Sequence, residues 1–286
     1  GTNEDSVQWI SERDWTYRSN FQVSENLLEK KNQALFFHGL DTYAKVFLND
    51  SLILEGNNMF RTWEINVSGI LKKENHLIVS FYSPNKIEKE KQAILGYTLP
   101  GGERVFTRKA GFHYGWDWGP KITPSGIWRK VDLTAWNDCR INNISIIQNN
   151  LTSIHAALTV NLEIESATQK TITVKAHDNF LENFKLEKGN NNLSIKVQIQ
   201  NPELWWPNGY GEQKLYEIAV SILDENKILD SQTKRIGLRK IELITDNDSL
   251  GESFYFKVNE IPIFMKGANY IPQDNLQNRV SRNQYR

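Results

Sequence analysis

A chain of antiparallel β-sandwiches with little helix is the fold class predicted by three features of the sequence. Apolar and polar residues alternate with a period of two over residues 154–164, where Ile154, Ala156, Leu158, Val160, Leu162 and Ile164 interleave with His155, Thr159, Asn161 and Glu163. One face of such a strand is dry and the other wet. The same rhythm returns in short stretches separated by Gly, Asn and Asp, as in sandwiches. No amphipathic helix of three turns is legible before residue 275, which weighs against an α/β architecture over the first 240 residues.

The elements follow in order. Ala34–Phe37, Ala44–Leu48, Leu52–Glu55, Thr62–Val67 and Leu77–Tyr82 read as strands of a first sandwich, joined by turn residues such as Asn49-Asp50 and Glu74-Asn75. Trp128–Leu133 closes it, and the polar run Thr134–Arg140 leads to a strand around Ile144. The first boundary is therefore placed near residue 137. Ile172–Ala176, Leu193–Ile199 and Tyr216–Ile222 continue the alternation of residues 154–164 into a second sandwich. After Ile236-Gly237-Leu238-Arg239 the pattern changes to a hairpin, Phe254–Val258 and Ile261–Phe264, turning at Asn259-Glu260. The run Met265–Tyr270 follows, and Ser281 is placed to cap a helix. The expected domains are thus 1–137, 138–238 and 239–286, the last too short for a domain of usual size and read as the opening of a larger unit.

Composition narrows the functional classes. The 286 residues amount to about two domains. They carry 34 Lys+Arg against 34 Asp+Glu, so no global field favours nucleic acid or anionic lipid. One cysteine, Cys139, excludes an internal disulfide, and five scattered histidines give no zinc signature. Apolar runs of four or five residues fall far short of the roughly 20 of a membrane-spanning helix, and Gly1–Asp5 is no signal peptide. No nucleic-acid partner, membrane insertion, metal or cofactor is expected. Nine Trp, ten Tyr and thirteen Phe in an otherwise polar chain call for a use of flat rings.

Three segments, in this order, resemble the β-mannosidases of glycoside hydrolase family 2. His38-Gly39-Leu40-Asp41-Thr42-Tyr43-Ala44-Lys45-Val46-Phe47-Leu48-Asn49 is similar to the early hairpin of the family's N-terminal jelly-roll domain. Gly115-Trp116-Asp117-Trp118-Gly119-Pro120, followed by Ser125-Gly126-Ile127-Trp128, resembles the signature that separates β-mannosidases from other branches. Asn201–Gly211 and Lys266–Pro272 resemble the end of the family's Ig-like domain and the first strand of its barrel. Tyr270 departs from the pattern, where Trp is commoner, as does Asn259-Glu260, where Asn-Gly is.

The resemblance implies a mainly β fold: a jelly-roll, galactose-binding-like sandwich, then an Ig-like sandwich, then the first strand of a truncated (β/α)8 barrel, which when complete needs about 250 residues. It implies the N-terminal part of a retaining exo-β-mannosidase acting on terminal, non-reducing β-D-mannose of oligosaccharides or glycans. Such hydrolysis needs two carboxyl groups about 5 to 5.5 Å apart. In the family these are glutamates on later barrel strands. Asn259-Glu260 reads as a hairpin turn and Asn3-Glu4 lies at the terminus, so the catalytic residues in this chain are none and the fragment is expected to be inactive. The competing functions are another exo-glycosidase of the family, such as an exo-glucosaminidase, and a stand-alone carbohydrate-binding module. The resemblance also implies a periplasmic or secreted protein, lysosomal in a eukaryote.

The expected substrate-binding residues are Asp117, Trp116 and Asn269. By the resemblance Asp117 lines the subsite for the terminal mannose, where a carboxylate accepts bonds from neighbouring hydroxyls. In strand geometry Trp116 and Trp118 share one face and Asp117 takes the other, with Trp118 in the core and Trp116 as a ring contact. The bland alternative is a buried cluster in which Arg108 or Lys109 pairs with Asp117. Asn269, with Asp274 behind it, would lie at the C-terminal end of a barrel strand, where barrel sites are built. Trp205, Trp206 and Asn208-Gly209 read as packing and a tight turn.

Overall fold

A computed structural model describes residues 3–177, 180–247 and 249–285. The chain divides into two compact units, Gly1–Asn137 with Tyr270–Arg286, and Asp138–Asn269.

Among its described residues the first unit is a sandwich of antiparallel sheets. The strands are β1 (Trp15–Gln22), β2 (Asn32–Phe37), β3 (Leu40–Asp41), β4 (Tyr43–Leu48), β5 (Ser51–Asn57), β6 (Trp63–Asn66) and β7 (Glu74–Tyr82), then β8 (Tyr114–Trp116), β9 (Gly119–Lys121), β10 (Gly126–Ile127) and β11 (Val131–Trp136). One sheet has the order β1-β7-β4-β5 and the other β11-β2-β6, with two ribbons, β10-β3 and β8-β9. Alternation along β2, β4 and β7 sends Leu35, Phe37, Ala44, Val46, Leu48, Val79 and Phe81 into one core. Asn49 and Asp50 join β4 to β5 with φ of 48° and 66°, the left-handed pair that a two-residue hairpin of the favoured twist requires.

Two segments depart from the sequence reading. Residues 84–95 form a three-turn helix, α3 once α1 (Asn3–Val7) and α2 (Glu25–Leu28) are counted. Ser83 caps α3 by accepting from the Lys86 N–H at 3.3 Å, Pro84 opens it, and Gly96, with φ 78°, ends it in the left-handed conformation. Its buried residues are Pro84, Asn85 and Glu88, so the face turned inward is polar and leaves no apolar stripe to read. The second departure is β1, which the alternation did not reveal; it is an edge strand, mostly exposed.

The second unit, again among described residues, holds β12 (Cys139–Leu151), β13 (His155–Ser166), β14 (Lys170–Ala176), β15 (Phe180–Leu186), β16 (Gly189–Gln200), β17 (Tyr216–Asp224) and β18 (Lys227–Ile236). The sheets β12-β13-β16 and β15-β14-β17-β18 enclose Ile144, Leu158, Val160, Leu162, Ile172, Val174, Ile195, Val197, Ile218 and Val220. Polar ties join β12 to β18 across the sheets: the Ile141 N–H donates to Asp230 Oδ2 at 2.8 Å, and Gln232 Nε2 donates to the Ile141 carbonyl at 2.5 Å. Trp205 and Trp206 pack onto glycines, since a Cβ on Gly237 or Gly211 would lie 2.8 Å from their indole carbons.

Residues expected to open a further unit divide between these two. The strands β19 (Ile241–Ile244), β20 (Tyr255–Val258) and β21 (Ile261–Ile263) form a sheet that belongs to the second unit. Asn259-Glu260 is its hairpin turn, with φ of 50° and 70°. Residues 270–286 belong to the first unit, where Ser281 precedes the single helical turn α4 (Arg282–Tyr285).

Leu158 is fully buried among both sheets of the second unit. Leu158→Ala is expected to cost about 2–5 kcal/mol of stability through the lost methyl groups and the cavity left behind. Urea unfolding followed by tryptophan fluorescence measures it.

Candidate functional site

The Trp-Asp-Trp sequence folds as a hairpin of two three-residue strands, β8 and β9, paired at Tyr114↔Lys121 and Trp116↔Gly119. Asp117 and Trp118 are its two-residue tip. Gly115 has φ 90°, a conformation that costs a side chain strain, and it lies close against Lys121 across the ribbon. A two-residue turn rather than a continuous strand therefore carries Asp117 and Trp118. Trp118, expected in the core, is 41% exposed, and Trp116 is 53% exposed. The indole centroids lie 6.5 Å apart at 41°, and Phe112 lies 6.5 Å from Trp118. The Arg104 guanidinium stands 5.9 Å from the Trp116 ring.

Asp117 is exposed. Among the described residues no hydrogen bond or ion pair engages its carboxylate, and neither Arg108 nor Lys109 pairs with it. Lys109 instead donates to Asp41 in a buried ion pair, and to the Pro124 carbonyl at 2.6 Å. Thr42 Oγ1 also donates to Asp41. Both charges are sealed from water, so each depends on the other. Burial pushes the Lys109 ammonium pKa down and Asp41 opposes that shift.

His113 precedes the hairpin and is buried. Its Nε2 donates to the Asn275 carbonyl at 2.8 Å, which makes Nδ1 the bare nitrogen. Among the described residues Nδ1 has no hydrogen-bond partner, and it stands 3.9 Å from Asp41 Oδ2, too far for a bond. Burial, then the Lys109 charge, lowers the His113 pKa to about 4, so the ring is neutral near pH 7. Tyr114 donates its hydroxyl to Glu88 on α3. Burial raises the Glu88 pKa, and burial with the Glu88 bond raises that of Tyr114. The far strand is held as well: the Lys121 N–H donates to Glu4 Oε1 at 2.6 Å, Gln8 Nε2 to the Lys121 carbonyl at 2.7 Å, and Asn275 Nδ2 to the Pro120 carbonyl at 3.1 Å. The hairpin thus has a bolted base and an acidic tip that no described residue bonds.

Sequence reasoning singled out Trp116 and Asp117, which the hairpin brings together. Asn269 is exposed and is the last residue of the second unit, after β21. Asp274 accepts from the Leu276 N–H at 2.7 Å and pairs with Arg279 at 3.3 Å. The reading gave no site role to Asp41, His113, Glu88 or Asn275, and set Lys109 against Asp117 rather than Asp41. The one available signal was Asp41 itself, a charge beside Leu40 in the short segment that joins two apolar strand runs. A cleft of about 170 Å³ is lined by Asp41, Met59, His113, Trp128 and Asn275 among others. A larger cleft, about 720 Å³, lies along β1 and β7 by Asn20, Asn49, Asn75 and His76. There the Asn49 and Asn75 amides are occupied in bonding each other and the Ile70, Lys72 and His76 backbone.

Residues 1–129 match the family described as glycosyl hydrolase 2 galactose-binding domain-like, and residues 137–239 match glycosyl hydrolases family 2. A β-sandwich of each kind in one chain defines the class, the sandwich domains of a glycoside hydrolase. The chain belongs to glycosyl hydrolase family 2 and corresponds to part of a β-mannosidase-like protein. Beta-mannosidase B of Aspergillus niger is 32% identical, covering 100% of this chain and 35% of the relative. Beta-mannosidase B of Thermothelomyces thermophilus is 33% identical, covering 100% and 34%. The crystal structure of the β-D-mannosidase from Dictyoglomus thermophilum superposes with a TM-score of 0.92 at 40% identity, over 100% of this chain and 36% of that one. The exo-chitosanase of Amycolatopsis orientalis, 20% identical with a TM-score of 0.72 over 95% of this chain and 30% of that one, shares the fold. The chain spans about a third of the length of the curated relatives it matches.

Two outcomes are expected of the buried groups. Lys109→Met strands the Asp41 charge and is expected to destabilise the first unit by about 3–5 kcal/mol, read as a lowered urea midpoint at pH 7. His113 has a folded pKa of about 4 against an ordinary value of 6.5. Its contribution is complete above pH 6.5 and is lost as pH falls from there to about 4, to a total of about 3 kcal/mol. His113→Gln, which does not titrate, is expected to lack that part of the acid destabilisation when urea unfolding at pH 7 and pH 4.5 is compared.

Proposed function

We propose that these 286 residues are the N-terminal part of a retaining exo-β-mannosidase that hydrolyses terminal, non-reducing β-D-mannose residues. Asp117 and Trp116 supply part of the mannose subsite, and the two catalytic carboxylates lie outside these residues. The observation that carries the reading is the acidic tip: an exposed carboxylate, with no bond within the described residues, between two exposed indoles. An ionised carboxylate has about four acceptor positions, enough for two neighbouring sugar hydroxyls, and charge-assisted bonds are roughly twice as strong as neutral ones. An indole offers an apolar face to the C–H side of a pyranose, as aromatic rings do at sites with one dry and one wet side. Arg104 over the Trp116 ring is a cation-π contact that orders the indole before a sugar arrives.

Chemistry at the anomeric carbon needs a general acid and a nucleophile about 5 to 5.5 Å apart. Glu260, the acid that follows an Asn in the β20–β21 turn, sits exposed with φ of 70° on a hairpin turn, which supports a structural role. Asn269, a neutral donor and acceptor in the segment that follows β21, is proposed as a further sugar contact, and residues 239–286 are proposed as the start of the barrel. The support is the 40% identity with a β-D-mannosidase over the whole chain and the greater length of the relatives. The partners proposed are β-mannosyl oligosaccharides or glycans.

Asp117→Ala in the full-length protein is expected to lower kcat/KM for p-nitrophenyl β-D-mannopyranoside by about 100-fold, the loss of two charge-assisted bonds of about 1.5 kcal/mol each. The isolated 286-residue chain is expected to release no p-nitrophenol. Unchanged kcat/KM in Asp117→Ala, or turnover by the isolated chain, contradicts the proposal.

A further inference from the structure

We infer that Asn275 is a positioning residue for the Asp117 tip, acting through the carbonyl of Pro120; the inference rests on the reading of Asp117 as a sugar ligand. A ribbon of two short strands is at best marginal in water. With Asp117 bonded to nothing in the described residues, the place of its carboxylate is set wholly by what fixes β8 and β9. The β8 side is fixed by Tyr114 on Glu88 and by His113. On the β9 side Pro120 stands next to Gly119, immediately behind the tip. Proline has no N–H, so its carbonyl is the only backbone group through which that position can be tied. The donor to it is the Asn275 side-chain amide at 3.1 Å.

Asn275 is itself held. His113 Nε2 donates to its carbonyl at 2.8 Å, so one residue is clamped by the β8 side through its backbone and grips β9 through its side chain. The flanking segment is stiffened by Asp274, which accepts from the Leu276 N–H and pairs with Arg279, and by the Arg279 N–H donating to the Leu276 carbonyl at 2.9 Å. The segment that carries Asn275 is some 150 residues along the chain from the hairpin, yet belongs to the same unit. Tightening or loosening this one clasp moves the tip without touching sugar, and a small misplacement of a ligating group is costly in rate.

The test is a double-mutant cycle in the full-length protein, read as kcat/KM for p-nitrophenyl β-D-mannopyranoside. Asn275→Ala alone is expected to lower it by about tenfold, and by less than about twofold when Asp117 is already Ala, because a residue that acts through the tip has nothing left to position. The same loss in both backgrounds would make Asn275 a general structural residue and overturn the inference, as would an Asn275→Ala protein within about twofold of wild type while Asp117→Ala is impaired. If Asp117→Ala has no effect, it is the sugar-ligand reading that has failed. Should Asn275→Ala not fold, Asn275→Ser completes the same cycle with the same expected coupling.

Discussion

A carboxylate that bonds to nothing among the described residues of its own unit is held in place from behind, and the Asp117 tip rests on that constraint. Behind it, two strands of three residues each and the residue before them are tied through Tyr114 to Glu88, Lys121 to Glu4 and Gln8, Pro120 to Asn275, and His113 to Asn275. None of those ties involves the tip. The polar capacity of Asp117 is left free for a ligand while its direction is fixed beforehand, which is how a binding group avoids a cost in ordering when the ligand arrives.

The base of the hairpin rests in turn on a buried polar network. Asp41 and Lys109 neutralise one another out of reach of water, and Lys109 also holds the Pro124 carbonyl beyond β9. Such a pair adds little to stability compared with apolar packing, but it tolerates no missing partner. His113 sits against it as a neutral ring, because burial and then the Lys109 charge disfavour its protonated form. The sandwich core of Phe37, Leu40, Val46 and Phe81 supplies the apolar stability, and the network supplies direction.

Much of the fold was legible because alternation reports burial on one face. β13, β16 and β17, which line the second core, carry it cleanly, and the Asn49-Asp50 and Asn259-Glu260 turns announce themselves by residue type. Among the strands that alternation did not reveal, β1, β15 and β18 lie at sheet edges, where neither face is consistently dry. α3 was hidden because it buries Asn85 and Glu88 rather than an apolar stripe. The Trp-Asp-Trp motif pointed to its own residues. Its support did not show, because the burial of Asp41, Lys109 and His113 is a property of the packed unit and not of their neighbours in sequence. Asn275, a polar residue in a polar segment, carries no signal at all.

The claim at the centre is that the carboxylate at the hairpin tip grips sugar hydroxyls. The most direct measurement is a crystal structure of the full-length protein with a non-hydrolysable β-mannoside. An Asp117 oxygen within about 3 Å of two hydroxyls of the terminal ring, with the Trp116 indole against that ring, is expected. A well-ordered mannoside whose hydroxyls are all satisfied by other groups, with Asp117 still facing solvent, would contradict it.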